Sequence, residues 1–78
     1  MITFEPFWET LKDKGISTYT LINKYNMSSS LIHRIRHNMP ISTVTLDDLC
    51  DILDCDVGDI IEHKSKDLIT QAGHHSTL

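Results

Sequence analysis

The chain has 78 residues, 40% apolar and 23% charged, with a formal net charge of −4. That length supports one domain near the lower limit for a core without a staple, a limit that a homodimer relieves, and the composition excludes extended disorder. No apolar run approaches the roughly 18 residues of a membrane span, and Met1 to Glu5 lacks the charged start and apolar core of a secretory signal, so a cytoplasmic location without a membrane partner is expected.

Met1 to Glu5 alternates apolar and polar residues at Ile2 and Phe4, which predicts a short strand ending at Pro6. Pro6 suits the first turn of a helix, where a missing N–H costs nothing. Phe7, Trp8 and Leu11 share one face of that helix, and Gly15, after Lys12 and Lys14, is its expected stop. Because Trp8 shares the face of Leu11, it reads as a packing anchor rather than a stacking platform for bases.

The stretch Ser17 to Asn38, STYTLINKYNMSSSLIHRIRHN, reads at helical period as two short amphipathic segments meeting at Tyr25-Asn26-Met27-Ser28. Leu21 and Tyr25 are the inner residues of the first segment, Ile32 and Ile35 those of the second. Ser17 is the expected N-cap of the first, with Ile16 and Leu21 as its staple, and Ser28 caps the second. Asn26 occupies the turn position that demands positive φ. This is the layout of a helix-turn-helix. With Ile32 and Ile35 inward, Ser30, His33, Arg34 and His37 fall on the outward side. None of the four is negative and all can donate hydrogen bonds to a nucleic acid, so the second segment, about 29–38, reads as a recognition helix. The N–H groups of Ser29 and Ser30 face outward at its positive dipole end. Leu31 is expected half-buried, with contact to a thymine methyl as its alternative role.

Charge distribution supports the same reading, although the net charge opposes it. All eleven acidic residues lie at Asp13 or before, or at Asp47 or after; between them Lys14, Lys24, Arg34 and Arg36 stand without a carboxylate. The reading head is locally basic on an acidic body.

Met39-Pro40-Ile41 ends the recognition helix, because the residue before a proline is pushed out of helical geometry. Ser42 or Thr43 caps a fourth helix with Leu46, Leu49, Cys50 and Leu53 on one side and Asp47, Asp48, Asp51 and Asp54 on the other. That acidic face is solvated surface or, alternatively, a site for a basic protein partner. Cys50 and Cys55 read as buried free thiols, since on one helix they lie about 140° apart, poor for a disulfide or a metal pair. Asp56-Val57-Gly58-Asp59 resembles a capping-box start to a last short helix that returns Ile60 and Ile61 to the core. Glu62 to Lys66 is expected to run extended beside Ile2 to Phe4. The domain then spans 1–64, and 65–78 is a mobile polar tail whose adjacent His74 and His75 lack the context of a metal site.

These residues resemble the Cro/C1-type, or Xre-type, helix-turn-helix regulators of phages and bacteria, within a small single-domain subgroup. The resemblance covers Ile2 to Glu62. It rests on Thr18 to Arg36, on Asn38-x-Pro40-Ile41-Ser42-x-x-Thr45-Leu46, and on Leu53-Asp54-Cys55-x-x-Gly58-Asp59-Ile60-Ile61. It implies an all-α, five-helix, lambda-repressor-like domain with possible short terminal strands, in a cytoplasmic protein of bacterial or phage origin. It also implies base contacts by Ser29, Ser30, Leu31, His33 and Arg34, and a phosphate contact by Thr18. Lys24, Arg36, His37 and Asn38 complete the expected phosphate contacts. Three residues depart from the family pattern: Ile22 stands where Ala is usual, Asn26 replaces the turn Gly, and Thr18 stands where Gln is common.

The expected function is a sequence-specific regulator of transcription, repressor-like, binding double-stranded DNA as a homodimer with the recognition helix in the major groove. The alternative is an antitoxin-like helix-turn-helix module holding a protein partner on its acidic fourth helix. An enzyme is not expected, because no nucleophile elbow, metal-ligand spacing or glycine-rich phosphate loop is present, and no cofactor or metal is called for.

Overall fold

The computed structural model describes residues 1–65. Its elements run β1 (Ile2–Thr3), α1 (Glu5–Lys14), α2 (Thr18–Lys24), α3 (Ser29–Arg36), α4 (Thr43–Leu53), a 3-10 turn (Val57–Asp59) and β2 (Glu62–His63). The expected tail beyond Ser65, with His74 and His75, lies outside the described residues. Among those described, no helix is long and apolar enough to cross a membrane.

Local chemistry starts each helix. Pro6 sits in the first turn of α1 beside the acidic Glu5, and Lys12 and Lys14 lie in the last turn, where cations complement the dipole. Ser17, Ser28 and Ser42 are extended N-caps whose Oγ atoms accept from the N–H groups of Thr20, Leu31 and Thr45 at 3.1, 3.1 and 3.0 Å. Each such cap contributes about 1 kcal/mol.

Three helices end on one device, a left-handed residue whose successor bonds back five positions. In α1 it is Gly15, at φ 67°, with the Ile16 N–H on the Leu11 carbonyl at 2.9 Å. In α3 it is Asn38, at φ 54°, with the Met39 N–H on the Arg34 carbonyl at 2.8 Å. In α4 it is Asp54, at φ 52°, with the Cys55 N–H on the Cys50 carbonyl at 3.0 Å. The expected recognition helix of about 29–38 is therefore too long. It stops at Arg36, and Asn38 turns the chain before Pro40 is reached.

The helices converge on one core. Phe7, Leu21, Ile35, Leu49, Leu53 and Ile60 are fully buried, so every α-helix supplies at least one side chain and Ile60 enters directly after the 3-10 turn. Tyr25, expected inward, is instead 37% exposed, and Met27 is buried in its place. The reason is Asn26, whose φ of 59° redirects the chain so that the Met27 N–H bonds the Leu21 carbonyl at 3.0 Å. Cys50 and Cys55 are half-buried free thiols, not fully buried ones.

Among the described residues there are four α-helices, and the segment expected to form a fifth, after Asp56, is not an α-helix. After Asp56 only three residues precede Ile60, so the segment closes a single 3-10 turn, with the Asp56 N–H on Asp59 Oδ2 at 3.1 Å. The Thr10 hydroxyl ties this turn to α1 by donating to the Asp59 carbonyl at 2.8 Å. β1 and β2 pair antiparallel, Ile2 opposite His63 and Thr3 opposite Glu62, so the expected terminal pairing forms over two residues per strand, while Lys66 lies outside the described residues. α2 and α3, joined by the turn at Asn26, are held to the core through Leu21, Ile32 and Ile35.

Candidate nucleic-acid interface

α3 carries Ile32 and Ile35 into the core, and the opposite side of the same helix is open. Ser29, Ser30, His33, Arg34, Arg36 and His37 are all exposed, as expected for a helix gripped along one stripe. Leu31 is half-buried against the core, so its side chain is partly committed to packing. The His33 and His37 rings are in contact but not stacked, their centroids 4.3 Å apart and their planes tilted by 48°. Arg34 stands beside them with no acidic partner among the described residues.

The first turn of α3 adds donors. Ser28 Oγ and its carbonyl take the N–H of Leu31, and the N–H groups of Ser29 and Ser30 have no acceptor among the described residues. Free N–H groups at a helix start favour an anion.

The remaining expected contacts are placed less uniformly. Thr18, the first residue of α2, is half-buried, whereas Lys24 at the end of α2 is exposed with its ammonium 5.5 Å from the centre of the Tyr25 ring. The Arg36 guanidinium lies 4.8 Å from the centre of the Trp8 ring, which is itself edge-on to Phe7. Trp8 is thus half-buried packing, as expected, and Arg36 is its lid as well as a surface cation. Asn38 points its carboxamide back into the protein: Oδ1 accepts the Phe4 N–H at 2.8 Å, leaving Nδ2 as the group free to face outward.

Two exposed aromatic residues were not singled out as contacts. Tyr19, 74% exposed, follows Thr18 at the start of α2, and Tyr25 closes the same helix. An apolar period hides them, because a tyrosine counts as inward until its neighbours are known.

The surrounding electrostatics favour an anionic partner on this side only. Every side chain on α2 and α3 is neutral or cationic, whereas Asp47, Asp48, Asp51 and Asp54 line the exposed side of α4. Beside those carboxylates, burial first and then neighbouring Asp47 and Asp51 push the Cys50 thiol above its ordinary pKa; burial does the same to Cys55. Both are poor nucleophiles at neutral pH. No group of three or more His, Cys, Asp or Glu that could hold a metal ion occurs among the described residues.

Next to the end of α3 an apolar groove of about 450 Å³ opens between β1 and the α3–α4 connection. Ile2, Phe4, Met39, Pro40, Ile41 and Leu46 contribute to its walls, and Ile2 and Met39 are more than two-fifths exposed.

A family model described as the Cro/C1-type HTH DNA-binding domain matches residues 7–75. Among solved structures, the transcriptional regulator VanUg is similar, with a TM-score of 0.71 and 30% identity over 78% of this chain and 81% of that one. No curated protein matches the chain. Neither match supports a protein partner on the acidic side of α4. The helix-turn-helix geometry and a family match over most of the length agree: the chain belongs to the Cro/C1-type helix-turn-helix DNA-binding domain family.

Proposed function

We propose that the protein is a sequence-specific regulator of transcription that inserts α3 into the major groove of double-stranded DNA and represses by occluding the site it covers. The observation that carries this is the outward face of α3, on which Ser30, His33, Arg34 and His37 are all exposed donors with no carboxylate among them. Ser29, Ser30, Leu31, His33 and Arg34 read base edges. Thr18, Lys24, Arg36, His37 and Asn38 hold phosphates, the last through Nδ2. Phosphate contacts fix the register, and base contacts give the sequence preference.

The protein acts as a homodimer. The apolar groove is the surface assigned to the second copy, because it begins at Asn38, where α3 ends, so that whatever covers it lies against the same DNA. A two-fold pair places its reading helices one helical turn apart, about 34 Å.

Selection of bound duplexes from a random pool tests the proposal. The expected product is a two-fold motif with half-sites about 10 base pairs apart. A pool that yields no enriched motif contradicts sequence-specific reading, and an enriched single half-site contradicts the dimer.

A further inference from the structure

The two neighbouring imidazoles at the end of α3, His33 and the C-cap His37, form a surface that the DNA reading uses but does not explain. His33 and His37 are four residues apart, one helical turn, and the His37 N–H bonds the His33 carbonyl at 3.1 Å, so the backbone holds them in register to the end of the helix. Their ring centres are 4.3 Å apart. A ring nitrogen lies about 1.2 Å from its centroid, so rotation of exposed side chains brings two nitrogens to the ~3 Å separation of neighbouring ligands on one ion with metal–nitrogen bonds of about 2.0–2.1 Å. Two histidines at this spacing on one helical face are a recurrent half of a metal site.

We propose that His33 and His37 chelate a divalent first-row transition-metal ion, Zn²⁺, Ni²⁺ or Cu²⁺, and that the bound ion competes with DNA for α3. Donor chemistry sets the class. Neutral imidazole suits Zn²⁺, Ni²⁺ and Cu²⁺, whereas Mg²⁺ and Ca²⁺ demand oxygen ligands, and neither α2 nor α3 carries a carboxylate. With two protein ligands the other positions are filled by water, and the nearby Arg34 and Arg36 oppose a cation, so the site is a weak, exchangeable one. Copper binds most tightly, following the general order of divalent affinities.

Competition follows from the location and rests on the DNA reading above. A nitrogen bound to metal can no longer accept or donate a hydrogen bond, and the hydrated ion occupies the part of α3 that approaches the base edges. By linkage, DNA weakens metal binding by the same factor as metal weakens DNA binding.

The test is calorimetric titration of the full chain with Zn²⁺ and with Cu²⁺ in a non-coordinating buffer. It uses wild type, His33→Gln, His37→Gln and a His74→Gln/His75→Gln control. The proposal expects one ion per chain, a loss of about tenfold or more in affinity for either α3 substitution, and no loss for the control. Far-ultraviolet circular dichroism of each variant verifies that α3 still forms. Binding unchanged by His33→Gln and His37→Gln, or abolished by the control, overturns the site. Duplex binding is then measured with and without Zn²⁺: wild type weakens and recovers on chelation, while His37→Gln does not respond. A wild-type affinity for DNA that ignores bound Zn²⁺ overturns the competition. A chain that binds Zn²⁺ through the pair but binds no duplex defeats the DNA reading and the competition, and leaves the metal site standing.

Discussion

In the proposed complex with DNA, base reading turns on Arg34. It is exposed on α3 and free of an acidic partner among the described residues, whereas Arg36 on the same helix lies over Trp8. A guanidinium can offer two parallel donors to O6 and N7 of guanine, a geometry lysine cannot reproduce, whereas holding a phosphate requires only charge. Arg34→Lys is therefore expected to lose roughly 1–3 kcal/mol on the selected site and to relax preference at one base pair per half-site, with non-specific affinity little changed. Filter binding of both variants to selected and scrambled duplexes decides it. A silent Arg34→Lys with a uniformly weakened Arg34→Ala identifies a phosphate contact, and an unchanged Arg34→Ala removes Arg34 from the interface. The wheel drawn from Ile32 and Ile35 is enough to place Arg34 outward. Asn38 is a different case: its bond to the Phe4 N–H joins residues 34 positions apart, and nothing local to either residue announces it.

At the scale of elements, the starts of the helices are legible and their ends less so. A serine cap acts on an N–H three residues on, so Ser17, Ser28 and Ser42 are readable from a short window. Gly15 is readable for a similar reason, because glycine tolerates positive φ without cost. Asn38 and Asp54 do the same work without that signature, so the sequence points to Pro40 as the stop for α3, and the left-handed Asn26 in turn puts Met27 rather than Tyr25 inward. The Asp54 terminus gives a direct test. An L-residue at φ 52° is strained relative to glycine, and its carboxylate stands at the negative end of the α4 dipole, near Asp51 and Asp56. Asp54→Gly should stabilise the protein by about 0.5–1 kcal/mol, a rise of several degrees in Tm for a domain of this size. A lower Tm by calorimetry shows that Asp54 makes a contact worth more than its strain. A capping box at Asp56 marks where a helix can start, but the structure forms only a 3-10 turn there before the chain runs into β2.

For the whole molecule, the decisive property is that charge is segregated rather than balanced. Net charge is −4, yet α2, the turn and α3 present only neutral and cationic side chains, and the acids lie before and after them. The distribution was legible because it is a statement about sequence order, and folding places that acid-free stretch on two adjacent helices. The apolar groove proposed to seat a second copy was less legible, because it brings together Ile2 and Met39, which lie far apart in the sequence. Met39→Glu should weaken dimerisation while leaving the monomer folded, since Met39 is 43% exposed. Sedimentation equilibrium checks it, and an unaltered monomer–dimer equilibrium moves the interface elsewhere. The central claim, that the side of the molecule built from α2 and α3 binds duplex DNA, is tested most directly by the salt dependence of affinity. If it is right, the logarithm of the association constant falls linearly with the logarithm of salt concentration at about 0.9 per phosphate neutralised, and Lys24→Ala reduces the slope by about one such contact. An affinity for duplex that does not change with salt, or a slope untouched by Lys24→Ala and Arg36→Ala together, contradicts it.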